Sequence, residues 1–328
     1  MKKILITGAS GFIGSFLVEE ALQKGYEVYA GIRKSSSKAY LQDENINFIE
    51  FDLSDKNDIK SKLQSFDYII HAAGTTKSCS TSDFEKINYQ YTVNLIEALQ
   101  ETKQMPKKFI YISSLAVYGP GNPEQAIPIK VTDPKKPITL YGHSKLKTEE
   151  YIRTVQNLPY IIFRPTGVYG PREKDFYVMY KTVKSGIETY IDTKEQHLTF
   201  VYVKDLAKVF FDAIASNIVS KTYFVTDLKM YTAKDLNDYV KKALKVKTIT
   251  IIFPKIFVKV LAFLSEKFSC LFTNKIATLN TEKYKEIIQK NWLCDSTELV
   301  NDFNYKPQYD LENGIKETIA WYKEQKLL

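Results

Sequence analysis

The sequence predicts an α/β fold: a doubly wound parallel sheet with a smaller, discontinuous and mostly helical lobe. Three observations carry this reading. Short β-rich runs alternate with helical patterns through the first two thirds of the 328 residues. A glycine-rich turn, Gly8 to Gly14, joins the first strand to the first helix. After about residue 227 the alternation ends, leaving helices and loops. Strands are expected at 3–7, 27–32, 47–51, 68–71, 108–113, 160–163, 198–203 and 223–226, and helices at 12–24, 56–64, 83–102, 140–156 and 204–216. Tyr68-Ile69-Ile70 reads as a strand buried on both faces, where an apolar run replaces alternation. Strands separated by helices imply parallel pairing through right-handed crossovers.

The turn itself is Thr7-Gly8-Ala9-Ser10-Gly11-Phe12-Ile13-Gly14. Gly8 permits a tight turn, Gly11 lets a pyrophosphate approach the backbone, and Gly14 lets helix pack closely on strand. The N–H groups of Ser10 to Ile13, at the positive end of the helix, then face the phosphates. This places a dinucleotide-binding domain at 1–168 plus 197–226, with a substrate lobe from 169–196 plus 227–328 over the C-terminal edge of the sheet. The second strand ends in Ile32, followed by Arg33-Lys34-Ser35-Ser36-Ser37, with no acidic residue for a ribose 2′-hydroxyl. A guanidinium there suits a 2′-phosphate, so NADP(H) is expected over NAD(H).

At the end of the fifth strand stands Ser113-Ser114, and Tyr141-Gly142-His143-Ser144-Lys145 follows on a helix. Four-residue spacing puts phenol and ammonium on one helix face. A tyrosine near pKa 10 shuttles protons poorly at neutral pH, and a neighbouring lysine charge favours its phenolate. Ser114, Tyr141 and Lys145 are therefore the candidate catalytic set. Tyr-x3-Lys recurs at Tyr177/Lys181 and Tyr180/Lys184, but only Tyr141 follows a strand-end serine and opens a long helix.

Composition narrows the alternatives. The net charge of +8 comes from lysines spread along the chain, with no nucleic-acid motif, so a solvated basic surface is expected and no nucleic-acid partner. Three cysteines without CxxC spacing and 3 His make a metal site unexpected; Cys79, Cys270 and Cys294 read as reduced thiols of a cytoplasmic protein. The N-terminal apolar run is too short for a signal peptide. In 251–272, Phe253, Ile256, Phe257, Val260, Leu261, Leu264 and Phe268 recur at helical spacing, which predicts a core-facing amphipathic helix. Lys255, Lys259 and Lys267 break the run and argue against a membrane span, leaving a membrane-surface helix as the second reading.

Taken together, TGASGFIG at 7–14, Asp52-Leu53, His71-Ala72-Ala73-Gly74, Asn88 opening NYQYTVNLIEA, SSLAVYG at 113–119, YGHSK at 141–145, RPTGVYGPR at 164–172 and FVYVKDLA at 200–207 resemble one group. It is the extended short-chain dehydrogenase/reductase superfamily, also called the NAD-dependent epimerase/dehydratase family, whose fold is Rossmann-type. The resemblance implies that Asp52 and Leu53 contact the adenine and that Ala72, Ala73 and Gly74 line the cofactor. It implies that Ser114 holds the reacting oxygen, that Tyr141 moves its proton, and that Lys145 holds the nicotinamide ribose. Ser113 lies beside the cofactor, Pro165 and Val168 touch the nicotinamide amide, and Asn88 either supports the neighbouring helix or caps one. It also implies a homodimer paired through the helices at 83–102 and 140–156.

Departures from the pattern shape the expected activity. Related dehydratases carry Asp-Glu after the active-site hydroxyl, where this chain has Leu115-Ala116. Nucleotide-sugar epimerases place Asn before VYGP and Arg before the F-[TV]-Y-V stretch; here stand Gly167 and Leu198. Leucine cannot replace an arginine's bidentate phosphate contacts, although His197, Arg172 or Lys204 could rebuild them from another angle. RPTGVYGP resembles dihydroflavonol-reductase-like and 3β-hydroxysteroid-dehydrogenase-like members instead. The expectation is thus an NADP-dependent oxidoreductase for a small, largely apolar ketone, with Phe176, Tyr177, Phe253 and Phe257 lining its pocket. The alternatives are a nucleotide-sugar epimerase with retained NAD(P) and a non-catalytic NADP-sensing protein.

Overall fold

The computed structural model describes residues 1–272 and 277–328. Its strands are β1 (Lys3–Thr7), β2 (Glu27–Ile32), β3 (Ile46–Glu50), β4 (Tyr68–His71), β5 (Lys108–Ile112), β6 (Tyr160–Pro165), β7 (Gly167–Tyr169), β8 (Ile187–Ile191), β9 (His197–Leu198), β10 (Phe200–Tyr202), β11 (Lys221–Val225), β12 (Tyr231–Thr232), β13 (Ile249–Phe253) and β14 (Asn291–Trp292). The helices are α1 (Phe12–Gln23), α2 (Lys56–Lys62), α3 (Thr81–Phe84), α4 (Tyr91–Glu101), α5 (Leu140–Thr154), α6 (Asp175–Lys184), α7 (Val203–Ala215), α8 (Ala233–Leu244), α9 (Lys255–Phe272), α10 (Thr281–Ile287), α11 (Thr297–Phe303) and α12 (Leu311–Glu324).

Seven strands form one parallel sheet in the order β11-β6-β5-β4-β1-β2-β3. This is the Rossmann-type α/β fold the sequence predicts. Strand order reverses beside β1, which pairs β2 on one side and β4 on the other, and such a reversal opens a ligand crevice at the strand ends. Two apolar layers flank the sheet. Phe16 and Leu17 of α1 meet Val209 and Phe210 of α7 on one face, while Ile59, Leu95 and Ile152 from α2, α4 and α5 cover the other. The central strands are buried on both faces, which is why they read as continuous apolar runs.

The structure departs from the predicted elements in three places. The strand expected at 198–203 divides at Thr199, whose hydroxyl donates to the Trp292 carbonyl at 2.9 Å; β9 joins β12 and β14, while β10 pairs β7. The region after residue 227 also holds strands, and β13 runs parallel to β8 from the 170–193 stretch. The helix expected at 83–102 starts at Thr81 and carries a π-turn, Glu85–Gln90, between α3 and α4. Non-local pairings decide the first two, and two- to five-residue strands leave no periodic signal to read.

Two further expectations are corrected. Cys79 and Cys270 are joined in a disulfide, with Cα atoms 5.8 Å apart across 191 residues of sequence. Linear spacing carries no information about a pair brought together only by tertiary structure, and Cys294 alone stays a buried thiol. The segment expected to turn its apolar side chains to the core does the reverse: the buried positions of α9 are Val258, Ala262 and Ser269, while Ile256, Phe257, Val260, Leu261, Leu264 and Phe268 are exposed. Among the described residues no helix is long and apolar enough to cross a membrane.

Candidate active site

The glycine turn sits where β1, β2 and β4 converge. Gly8 has φ +68°, and a Cβ there would lie 2.7 Å from the Ala73 nitrogen, so only glycine fits against the end of β4. A Cβ on Gly14 would come within 2.1 Å of the Gly8 carbonyl oxygen. Gly11 caps α1 without a side-chain bond, which leaves the first N–H groups of the helix open to a phosphate. Arg33 and Lys34 are exposed just past β2, and no ion pair holds the Arg33 guanidinium among the described residues. Asp52 accepts from Ser54 N and Oγ at 2.9 and 2.6 Å, which lowers its pKa and fixes the turn after β3. Asn94 donates to the Leu53 carbonyl at 2.9 Å.

Beneath the turn, His71 is fully buried. Its Nδ1 lies 2.7 Å from Thr7 Oγ1 and its Nε2 2.9 Å from Thr92 Oγ1. Burial pushes its pKa down to about 3, helped by the nearby Lys145 ammonium, so the ring is neutral. The backbone of Ala72 to Gly74 continues from there. Asn88, inside the π-turn and not at a helix start, accepts from Thr75 N at 2.8 Å and donates to the Thr75 carbonyl and to Ser144 Oγ at 3.0 and 2.9 Å. It therefore ties the loop after β4 to the helix that carries Tyr141 and Lys145.

Thr139 opens that helix, α5, by accepting from Gly142 N at 3.1 Å. Tyr141 and Ser114 come together. Burial raises the phenol pKa most, a hydrogen bond with Ser114 lowers it, and the Glu286 carboxylate raises it further. Lys145, one turn on, is buried and donates to the Ile112 carbonyl at 2.7 Å, with its ammonium 4.7 Å from the Tyr111 ring centre. Burial drops its pKa to about 7, opposed by Glu149. The expectation that Lys145 would pull down the phenol is not met here, because the ammonium is drawn to a backbone carbonyl and burial dominates both groups. Pro165 and Val168 lie on β6 and β7 at the same edge.

Sequence reasoning missed the support under this set. Ser113 Oγ donates to Glu149 Oε1 at 2.6 Å, and Arg164 binds the same carboxylate at 2.8 Å through Nε and 2.5 Å through Nη2. Arg164 Nη1 also donates to Tyr118 Oη at 2.8 Å. The Ser113 hydroxyl is thus committed to the core. A usable signal existed: Glu149 stands one turn past Lys145, and Arg164 interrupts an otherwise apolar strand.

The opposite wall is charged. Lys77, from the loop after β4, pairs with Asp175 at the start of α6. Lys283 Nζ lies 3.1 Å from Glu286 on α10, and Asp175 and Glu173 also act on its ammonium. Glu282 accepts from Leu140 N at 2.5 Å, docking α10 on the start of α5. None of these residues lies in a recognisable motif. The aromatics expected to line an apolar pocket are engaged with other rings: Tyr177 stacks on Tyr322 at 4.8 Å, Phe176 meets Phe200 at 5.9 Å, and Phe253 stacks on Phe257 at 5.3 Å towards the outer face. Arg172 is bound to Ser15 and Glu19, and Lys204 to Glu317.

Residues 4–225 match the family model described as NAD dependent epimerase/dehydratase family. The chain belongs to this family. Over 98% of both chains it is 27% identical to a UDP-N-acetyl-alpha-D-glucosaminuronate decarboxylase of Bacillus cytotoxicus. It is 25% identical, again over 98% of both, to a putative UDP-glucose 4-epimerase of Methanocaldococcus jannaschii. The crystal structure of UDP-glucose 4-epimerase with UDP-glucose from Thermotoga maritima shares the fold, with a TM-score of 0.81, 21% identity and coverage of 99% of each chain.

These family relatives overturn the expected apolar-ketone reductase, since the proteins matched end to end are named for UDP-sugar chemistry. The argument from Gly167 and Leu198 fails for a physical reason. A Cβ on Gly167 would lie 2.9 Å from the Phe200 ring, so packing sets the residue at that position; Leu198 belongs to a short strand between β12 and β14.

Proposed function

We propose that this chain is a nucleotide-sugar epimerase working with a retained NAD(P). The observation that carries the proposal is the half-buried Tyr141 phenol beside the Ser114 hydroxyl, with the buried Lys145 one turn on, between a glycine cradle and a wall of paired charges. The UDP-sugar names of the full-length relatives support the substrate class. Leu115 and Ala116, both buried, offer no acid or base for eliminating water, which favours epimerisation over dehydration.

The residues fit a dinucleotide. Gly8, Ser10, Gly11, Phe12, Ile13 and Gly14 would hold its pyrophosphate, Asp52 and Leu53 its adenine, and Ala72 to Gly74, Pro165 and Val168 its nicotinamide end. Arg33, with Lys34, is the ground for NADP(H) over NAD(H). When bound, the dinucleotide supplies a reversible hydride acceptor. As the phenolate, Tyr141 Oη would take the proton of a sugar hydroxyl as its carbon is oxidised to the ketone. Burial alone opposes that form, and the positive nicotinamide of a bound dinucleotide and the Lys145 ammonium would favour it. The phenol so formed would return the proton when the ketone is reduced on its other face. Ser114 Oγ holds the same oxygen throughout. Lys145 would hold the ribose, and Lys77 and Lys283, each paired with a carboxylate, would offer cations to a diphosphate. Pairing into a homodimer through the helices at 83–102 and 140–156 belongs to the same proposal, and a monomer mass in light scattering would refute it.

The test is a panel of UDP-, GDP- and dTDP-sugars followed by NMR of the anomeric proton. One member should give its epimer without consuming added cofactor. Absence of both binding and conversion for every member would sink the proposal.

A further inference from the structure

The helix α9 is built inside out. Its buried stripe consists of small side chains, Val258 at 5%, Ala262 at 0% and Ser269 at 8% exposure, while its large ones point away from the protein. Ile256 is 67% exposed, Leu264 56%, Phe268 62% and Phe272 73%. The Phe253–Phe257 stack at 5.3 Å continues this surface onto β13, where Ile249 and Ile252 are 73% and 50% exposed. Single exposed apolar residues are ordinary, but a contiguous face of them marks an interaction surface.

Charge chooses among the occupants. Lys255, Lys259 and Lys267 lie on the same helix, and Lys259 and Lys267 have no ion-pair partner among the described residues. Its one acidic residue, Glu266, is turned inward and accepts from Thr281 N and Oγ1 at 2.7 and 2.6 Å. The outward face is therefore apolar with unopposed positive charge. A second copy docking through the same face would set lysine against lysine. An anionic lipid surface meets both features, taking the apolar side chains into its acyl boundary and the ammonium groups at its headgroups. The helix does not meet the requirement for spanning a bilayer, and lying in its interface needs no span.

We propose that β13 and α9 form an interfacial docking surface that seats this protein on an anionic membrane. The seat is attached to the active site at two points. Cys270 bonds to Cys79 in the loop that also carries Lys77, and Glu266 holds the start of α10, which carries Lys283 and Glu286. The mouth of the candidate site is thereby held at the membrane surface. This inference does not depend on which sugar, or which reaction, the site serves.

Flotation of the full chain with vesicles tests it. Vesicles of phosphatidylcholine with phosphatidylglycerol should carry the protein, pure phosphatidylcholine should carry much less, and high salt should weaken the difference. Replacing Ile256, Leu264 and Phe268 together by Ser should lower the partition coefficient more than about tenfold, with thermal stability and cofactor binding unchanged, because these side chains support nothing inside. Lys259→Glu with Lys267→Glu should remove the dependence on phosphatidylglycerol. Failure to float with anionic vesicles overturns the proposal. So does a triple-Ser variant that floats normally yet loses an oligomeric mass in light scattering, which would assign the face to a second copy.

Discussion

On the sheet side of the site Glu149 and Arg164 are 0% and 1% exposed, locked to each other, to Ser113 and to Tyr118. On the lobe side Lys283 and Glu286 keep 39% and 22% of their side-chain surface and pair across a single contact of 3.1 Å. Both sides hold charge, but for different ends. A fully buried pair cannot rearrange without leaving an unpaired ion in a medium of low polarity, so it acts as a fixed strut. Half-exposed pairs are cheap to break and can exchange a protein partner for a ligand phosphate. The sheet side sets position, and the lobe side is free to recognise.

Five measurements sharpen or break this contrast. The largest effect belongs to the proton. Tyr141→Phe should lower turnover by about 10²- to 10⁴-fold while leaving dinucleotide binding near normal; turnover near the wild-type rate removes Tyr141 from the mechanism. Next comes the strut. Glu149→Ala leaves Arg164 buried and uncompensated and should cost about 3–5 kcal/mol in chemical unfolding. A cost below about 1 kcal/mol, the ordinary range for exposed pairs, would show that the sheet side is no more rigid than the lobe.

The third measurement is a pH dependence. His71 titrates near 3 in the folded chain against 6.5 as a free group. Between those values the unfolded chain binds a proton that the folded chain refuses, so stability is present above pH 6.5 and is lost as pH falls towards 3. The whole window amounts to on the order of 5 kcal/mol. His71→Asn should flatten the acid limb of the unfolding midpoint relative to wild type; parallel curves for the two proteins would mean that His71 is not the neutral group described here.

The smallest effects separate substrate from cofactor. Lys283→Met should raise KM for a nucleotide sugar with little change in kcat, by a charge-assisted bond of about 1.5–3 kcal/mol. Arg33→Ala should weaken NADP(H) by a similar amount and leave NAD(H) untouched. If the wild type binds the two dinucleotides equally, Arg33 is an incidental surface charge. If Lys283→Met lowers kcat alone, the lobe cation serves the chemistry and not recognition.

Much of the sheet side was legible beforehand because its signals are local. Gly8 and Gly14 are required by backbone geometry within one turn, and Tyr141 and Lys145 are placed by helix periodicity alone. The lobe side was not legible. Lys77, Asp175, Lys283 and Glu286 come from three segments far apart in sequence, and nothing in their spacing announces a shared wall. The expected substrate was misread for a related reason: Gly167 and Leu198 were weighed as lost phosphate ligands, whereas Gly167 is small to admit the Phe200 ring.

The amino-acid sequence by itself determined the parallel α/β sheet, the glycine turn and the shared helix face of Tyr141 and Lys145, because each rests on periodicity or on backbone demands within a few residues. Tertiary structure alone decided that Cys79 reaches Cys270, that Glu149 clasps Arg164 and that α9 turns its large apolar side chains outward. An apolar period states that a helix has two faces. Which face is covered depends on what the rest of the chain brings against it, and here the buried positions are the small residues Val258, Ala262 and Ser269, with Glu266 and Cys270 as the polar and covalent links to the protein.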